Sequence, residues 1–212
     1  RDSCKGFCSE MGWRVVNHGV QIMGGESYMT ENEVERVFRD SRINLIVEGS
    51  NDLMQSFIFG YGGKQLAEKM LNIKNLLTWE GDGSPQSLGK RLSRLVRAGT
   101  KPKIMSAAIP LGLEVFGGIR RKLPRITKVL PELQPYAERL AQQVREHTYQ
   151  FKVLSKRWDV KMLDRQTVQA RLGDACILLH AWACTLSKLD ADLRAQKAKG
   201  GSPDVEFERC LL

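Results

Sequence analysis

Two features of this sequence have residue types suited to chemistry. Glu48 follows the run Ile43-Asn44-Leu45-Ile46-Val47 and precedes Gly49, which places a carboxylate at the edge of an apolar link. A carboxylate withdrawn from water is a stronger base, suited to removing a weakly acidic proton. Upstream, Gln21 stands just before Gly24-Gly25. Glycines let backbone N–H groups approach a ligand closely, and a glutamine amide offers directed hydrogen bonds. Both features also have a plain structural reading. The glycine pair can simply end a helix, and Glu48 can cap the amides of Asn51 or Asp52. No metal site is expected, because His18, His147 and His180 are isolated and the cysteines at 4, 8, 176, 184 and 210 lack zinc or disulfide spacing.

The elements that must position these residues are helical. A first helix is expected to run to about Met23 and stop at the glycine pair. Thr30 with Glu33 three residues on is a capping-box signature for a helix from Glu33 to about Arg42. The apolar and mostly β-branched Ile43–Val47 then reads as an extended or irregular buried link. Ser50 can cap a third helix from Asn51 to about Leu71.

Glycine and proline concentrate in residues 72–131, where Gly81-Asp82-Gly83-Ser84-Pro85 marks a turn and long helices are not expected. Beyond it, Leu133, Ala137, Leu140, Val144, His147, Phe151, Leu154 and Trp158 form one helical seam. Val168, Leu172, Ala175, Leu179, Trp182, Leu186, Leu189 and Leu193 form another. Joined by a turn near Asp159–Asp164, they predict an antiparallel pair that needs further packing partners. No strand pattern competes, so the fold class is all-α.

Charge is uneven. Between Lys64 and Lys128 fourteen basic residues face four acidic ones, a surplus of ten within a total of +9. No stretch approaches the roughly 20 apolar residues of a spanning helix, and the first residues carry no signal core. Five scattered cysteines suit a reducing compartment, and Cys176 and Cys184, in an apolar helical run, read as small core residues. The first residue is Arg1 and the last four are Arg209-Cys210-Leu211-Leu212, so a piece of a longer protein is expected.

From Gln21 to Asp52 the sequence resembles the acyl-CoA dehydrogenase family. That family carries Gln-x-x-Gly-Gly, then a charged helix with Arg-Asp-x-Arg, then an apolar link into Glu-Gly-Thr. Here these appear as Gln21 to Gly25, Arg39-Asp40-Ser41-Arg42 and Glu48-Gly49-Ser50, with the family's 27 residues from Gln21 to Glu48. The resemblance covers about residues 5–70. It implies that Glu48 is the proton acceptor at the α-carbon of an acyl-CoA while a hydride leaves the β-carbon for FAD, giving a trans-2-enoyl-CoA. By the same resemblance Gln21, Gly24 and Gly25 touch the FAD held mainly by a neighbouring subunit of a homodimer. Ser50, Asn51 and Asp52 meet the FAD on Glu48's own side, and Val47, Glu48 and Gly49 meet the substrate. Electron-transfer flavoprotein is the implied electron acceptor. Glu26 and Ser27 depart from the family's Gly-Gly-x-Gly-aromatic pattern, which puts the backbone of that turn in question.

The implied division is residues 1–71 as part of the family's helical domain, 72–131 as a basic linker, and 132–212 as a helical extension. Such an extension marks the very-long-chain branch. The apolar Ile104–Phe116 between basic groups suits an anionic membrane surface through residues 90–128, at about 1 kcal/mol per basic residue near lipid; a solvated loop packed on the body of the protein is the alternative. Nucleic-acid binding ranks below both, because no aromatic residue interleaves the basic ones between 90 and 103. A non-catalytic homologue acting as an assembly factor is the other class, against which the retained Glu48 argues. The location implied is cytoplasmic or of mitochondrial-matrix type, peripheral on the inner membrane, and not secreted.

Overall fold

The computed structural model describes residues 2–78 and 102–199, and among these the regular structure is all helical. The helices are α1 (Asp2–Met23), α2 (Glu33–Arg42), α3 (Asn51–Thr78), α4 (Pro102–Gly117), α5 (Gln134–Trp158) and α6 (Gln166–Ala198). Single tight turns at Gly24–Tyr28, Ile43–Leu45, Pro131–Leu133 and Asp159–Asp164 join or precede them. None of the described helices is long and apolar enough to cross a membrane.

The two seams meet, but only at one end. Leu133, just before α5, and Ala137 and Leu140 in its first half pack with Leu186, Leu189 and Leu193 in the second half of α6, so the pair is antiparallel as expected. Farther along, the helices turn to other partners. The α5 residue Val144 is exposed, while Phe151 stacks on Phe59 of α3 with ring centroids 5.2 Å apart. The first half of α6 lies across α1 and α3. Gly173 makes that crossing close, since a Cβ there would come within 2.6 Å of the Gln55 carbonyl oxygen. Asp174 accepts a hydrogen bond from the Gln55 amide at 2.5 Å, and Ile177 packs against Gly6 of α1. The long last helix therefore splints the first region to the extension.

Where residues 72–131 were expected to lack long helices, α4 runs through Pro102–Gly117 with Pro110 inside it, and α3 continues past Leu71 to Thr78. Proline restricts its own φ to a helical value, and a helix held by tertiary contacts tolerates the lost backbone bond. Here the contact is charged. Glu114, 2% exposed in its side chain, accepts from Lys152 of α5 at 2.6 Å and from Arg121 at 3.0 Å. The Gly81–Pro85 turn and the basic residues Lys90 to Lys101 lie outside the described residues.

The segment after α4 is tied down in two places. Arg120 grips Glu146 through two hydrogen bonds of 2.8 and 3.0 Å and lies over the Tyr149 ring at 4.3 Å. Asp190 accepts the Leu130 N–H at 2.8 Å and pairs with Arg194, which also donates to the Lys128 carbonyl. The Arg194 hydrogen bond, helped by the Leu130 amide, holds the Asp190 carboxyl below its ordinary value. A depressed folded-state value stabilises the fold above the unfolded-state pKa, and that stability is lost as pH falls through the folded one. Asp190→Asn is therefore expected to cost up to about 1 kcal/mol at neutral pH, Arg194 being half exposed, with the gap to wild type closing below about pH 4. Urea unfolding of both proteins across the acid range would measure it; a constant gap would assign the loss to packing instead.

Candidate functional site

Glu48 sits in a sharp turn between α2 and α3. Its φ is +60° and that of Gly49 +88°, two successive left-handed residues that reverse the chain before α3 begins. Gly49 suits the place because its φ is one that side chains rarely adopt, with the movable Met54 methyl carbon occupying the space beside it. The Ser50 hydroxyl then accepts the Leu53 N–H at 3.3 Å and caps α3 as its position predicts.

The link before the turn differs from expectation. Ile43–Leu45 forms one tight helical turn, so the link is irregular, one of the two forms expected, but it is not buried: only Leu45 is, and Ile43, Ile46 and Val47 are about half exposed. Glu48 is exposed as well, not desolvated by this chain. A short apolar run is usually buried, but no described helix packs over the outer face of this one. The capping-box expectation also fails in detail. Asn32, not Thr30, caps α2 by accepting the Val34 N–H at 3.0 Å, while Thr30 bonds Glu31.

Around Glu48 the structure assembles a shallow open depression lined by Lys5, Cys8, Ser9, Asn44 and Val47. The floor is a polar cluster. Lys5 Nζ donates to the Gly49 carbonyl and to Asn51 Oδ1, both at 2.8 Å, and Ser9 Oγ reaches the same Asn51 oxygen at 3.0 Å. Asn51 Nδ2 is buried and has no partner among the described residues. Asp52 is exposed beside it. Lys5 and Ser9 carried no signal of their own in the sequence; their one visible clue is a spacing of four, which puts both on one face of α1.

Gln21 and Gly24-Gly25 are not brought to this depression. They stand exposed at the far end of α1, twelve or more helical residues from Ser9 and hence roughly 20 Å away. Gly24 has φ +69°, so the chain leaves the helix there as the glycine pair predicts. The departure at Ser27 has a local function. Its hydroxyl is buried and lies 3.0 Å from the Val20 carbonyl and 2.6 Å from that of Gly24, tying the turn to the last turn of α1 and leaving Tyr28 exposed. Of the Arg-Asp-x-Arg motif, Arg39 bridges Glu35 on its own helix, and Arg42 lies over Trp13 of α1 at 5.2 Å. Among the cysteines, burial pushes the Cys176 thiol up, as suits an inert core residue, whereas Cys184 is exposed, against expectation. His147 lies part-buried on α5, and desolvation lowers its pKa. Among the described residues no group of three or more ligating side chains could hold a metal ion.

The all-helical frame, with Gln21, Gly24-Gly25 and Glu48-Gly49-Ser50 on α1 and the turns that follow it, is consistent with an acyl-CoA dehydrogenase carboxy-terminal helical domain. Residues 2–59 match the family described as acyl-CoA dehydrogenase, C-terminal domain, which supports reading the chain as a carboxy-terminal piece of such a protein. Over 206 residues, 97% of this chain, it is 28% identical to the very long-chain specific acyl-CoA dehydrogenase, mitochondrial, of Bos taurus and 29% identical to that of Homo sapiens. It is also 55% identical over 49 residues to a probable acyl-CoA dehydrogenase of Bacillus subtilis. The chain spans 28% of the length of the mammalian relatives.

Proposed function

We propose that this chain supplies the catalytic base of a flavin-dependent acyl-CoA dehydrogenase that oxidises long or very long acyl-CoA to trans-2-enoyl-CoA, with Glu48 taking the α-proton. The observation that carries this reading is the placement of Glu48. It projects from a left-handed turn into an open depression, and the turn is held from behind by Lys5 and Asn51. A base that must meet a substrate needs an open face and a fixed backbone, and this turn has both.

FAD, when bound, would accept the hydride from the β-carbon. Asn51 fits it: a buried amide N–H pair with no partner is a donor suited to a polar ring or phosphate edge. Ser50 and Asp52 flank it on the same turn, and Gln21 with Gly24-Gly25 would serve the flavin of a second protomer from the far end of α1. The exposed Ile46 and Val47 beside Glu48 would exclude water from the α-carbon once an acyl chain covers them. Electron-transfer flavoprotein as acceptor, a homodimer and a reducing, matrix-type compartment belong to the same proposal.

A second surface bears on substrate supply. On α4, Ile109 and Leu113 are exposed, followed by exposed Ile119 and Leu123 interleaved with exposed Arg120, Arg121, Lys122 and Arg125. Apolar side chains among basic ones suit an anionic membrane surface, where long-chain acyl-CoA also partitions. The test of the main reading is flavin bleaching under anaerobic conditions in the full-length protein. Palmitoyl-CoA is expected to exceed butyryl-CoA in kcat/KM by well over roughly tenfold, since each buried methylene contributes about 0.8 kcal/mol. A flavin that no acyl-CoA reduces would overturn the proposal.

A further inference from the structure

Lys5 lies 43 residues before Glu48 in sequence, yet it is the side chain that closes the turn on which Glu48 sits. Its ammonium donates to the carbonyl of Gly49, the residue directly after Glu48, and to Asn51 Oδ1 at the head of α3, each at 2.8 Å. Both residues of the reversal, Glu48 and Gly49, have left-handed φ values, and Glu48 is the one described residue other than glycine with a positive φ. A left-handed glutamate is held there against its own preference, so the surroundings must over-determine it.

What over-determines it is visible. Ser50 caps α3 from the inside of the turn, Met54 fills the space beneath Gly49, and Lys5 grips the turn's outer carbonyl. Of these, only Lys5 carries a charge, and charge-assisted hydrogen bonds are about twice as strong as neutral ones. Ser9, one turn along α1, places its hydroxyl 3.0 Å from the same Asn51 oxygen and 2.8 Å from the Lys5 carbonyl, tying Asn51 to the turn of α1 that carries Lys5. Behind α1, Gly6, the neighbour of Lys5, faces Ile177 of α6, whose Cδ1 a Cβ there would meet at 3.3 Å. The lysine thus stands on a backbone that cannot retreat.

We propose that Lys5 is a positioning residue for the Glu48 base: its ammonium fixes the Glu48-Gly49 backbone so that the carboxylate meets the α-proton. This rests on the assignment of Glu48 as base, and two separate readouts keep the claims apart. The first needs no activity. In the full-length flavoprotein, Lys5→Met is expected to speed amide hydrogen exchange at Leu53 and Met54, whose N–H groups bond Ser50, by roughly tenfold or more, with the amides of the α5–α6 core unchanged. The second is kinetic. Lys5→Met is expected to lower the rate of flavin reduction by palmitoyl-CoA by roughly a hundredfold while KM moves less than about twofold, the loss expected when a reacting group is misplaced and not when binding is lost. Lys5→Arg, which still donates to both oxygens, should restore part of the rate.

Unchanged exchange at Leu53 and Met54 overturns the proposal whatever the enzyme does. So does a Lys5→Met enzyme with wild-type kcat. If Lys5→Met does not fold, Ser9→Ala carries the test, with smaller changes of the same sign in both readouts; no change in either would equally overturn it. A wild-type protein that reduces no flavin at all would remove the base assignment, while the exchange result would still decide whether Lys5 holds the turn.

Discussion

Glu48→Gln in the full-length flavoprotein is expected to slow flavin reduction by palmitoyl-CoA by about 10²- to 10⁴-fold, the usual contribution of a positioned base. Glutamine keeps the size of the side chain and is no less able than glutamate to occupy a φ of +60°, so the turn should persist. Substrate affinity and flavin content should therefore be close to wild type, because Lys5, Asn51 and Ser50, which hold the turn, are untouched. Glu48→Asp is the sharper variant. It keeps the carboxylate but withdraws it by one methylene, and positioning tolerances near a reacting atom are of the order of 1 Å. A rate between those of wild type and Glu48→Gln is expected. Single-turnover mixing without oxygen measures all three, and exchange of the substrate's α-protons with deuterated solvent reports on the proton step alone. Undiminished reduction in Glu48→Gln would assign the proton to another group and return Glu48 to a turn residue.

The parts of this molecule legible in its sequence were those with local causes. Met23 followed by Gly24-Gly25 ends α1 because glycine accepts a left-handed φ, and the Leu133 to Leu140 and Leu186 to Leu193 seams pair because their spacing repeats on one helical face. The turn at Asp159–Asp164 falls where the two seams change over. Local signals failed where they competed or where a distant partner decided. Thr30 and Asn32 both suit an N-cap, and the one adjacent to Glu33 took the role. The run Ile43–Val47 was read as buried because apolar residues usually are, yet its exposed members depend on surface that the described helices do not cover.

The candidate site divides the same way. Glu48, Gly49 and Ser50 were recognisable as a turn opening a helix, since glycine and a capping hydroxyl are local devices. Lys5 and Ser9 were not, because a lysine on a helix has no pattern that reveals a carbonyl 44 residues away. α4 was missed for a related reason. Pro110 and the nearby glycines argue against a helix, and what holds it is tertiary: Val115 and Glu114 are buried, the latter satisfied by Lys152, 38 residues apart.

That pair gives the largest expected effect on stability. Lys152→Met should destabilise the fold by about 3–5 kcal/mol, because it removes the shortest of the contacts that satisfy the Glu114 carboxylate, 2% exposed, whose Arg121 partner lies at 3.0 Å. Methionine nearly matches the lysine stem in volume, so little of the loss would come from a cavity. Arg121 is 56% exposed and already bonded at 3.0 Å; it cannot follow the charge inward without giving up its own hydration. The double variant Glu114→Leu with Lys152→Met should recover most of the loss, since apolar groups of similar size often replace a buried pair at little or no cost. Arg121 is then left unpaired at the surface, where that is cheap. Urea unfolding of the two singles and the double, read as a double-mutant cycle, isolates the coupling. A double variant as unstable as the sum of the singles would mean that the pair serves as packing volume and not as charge. Flavin reduction offers an independent check, since Lys5 lies on α1 and Glu48 in the turn before α3, on elements that carry neither member of this pair. The double variant should thus keep the rate of the chemical step while showing whether α4 stays docked on α5 without its ion pair.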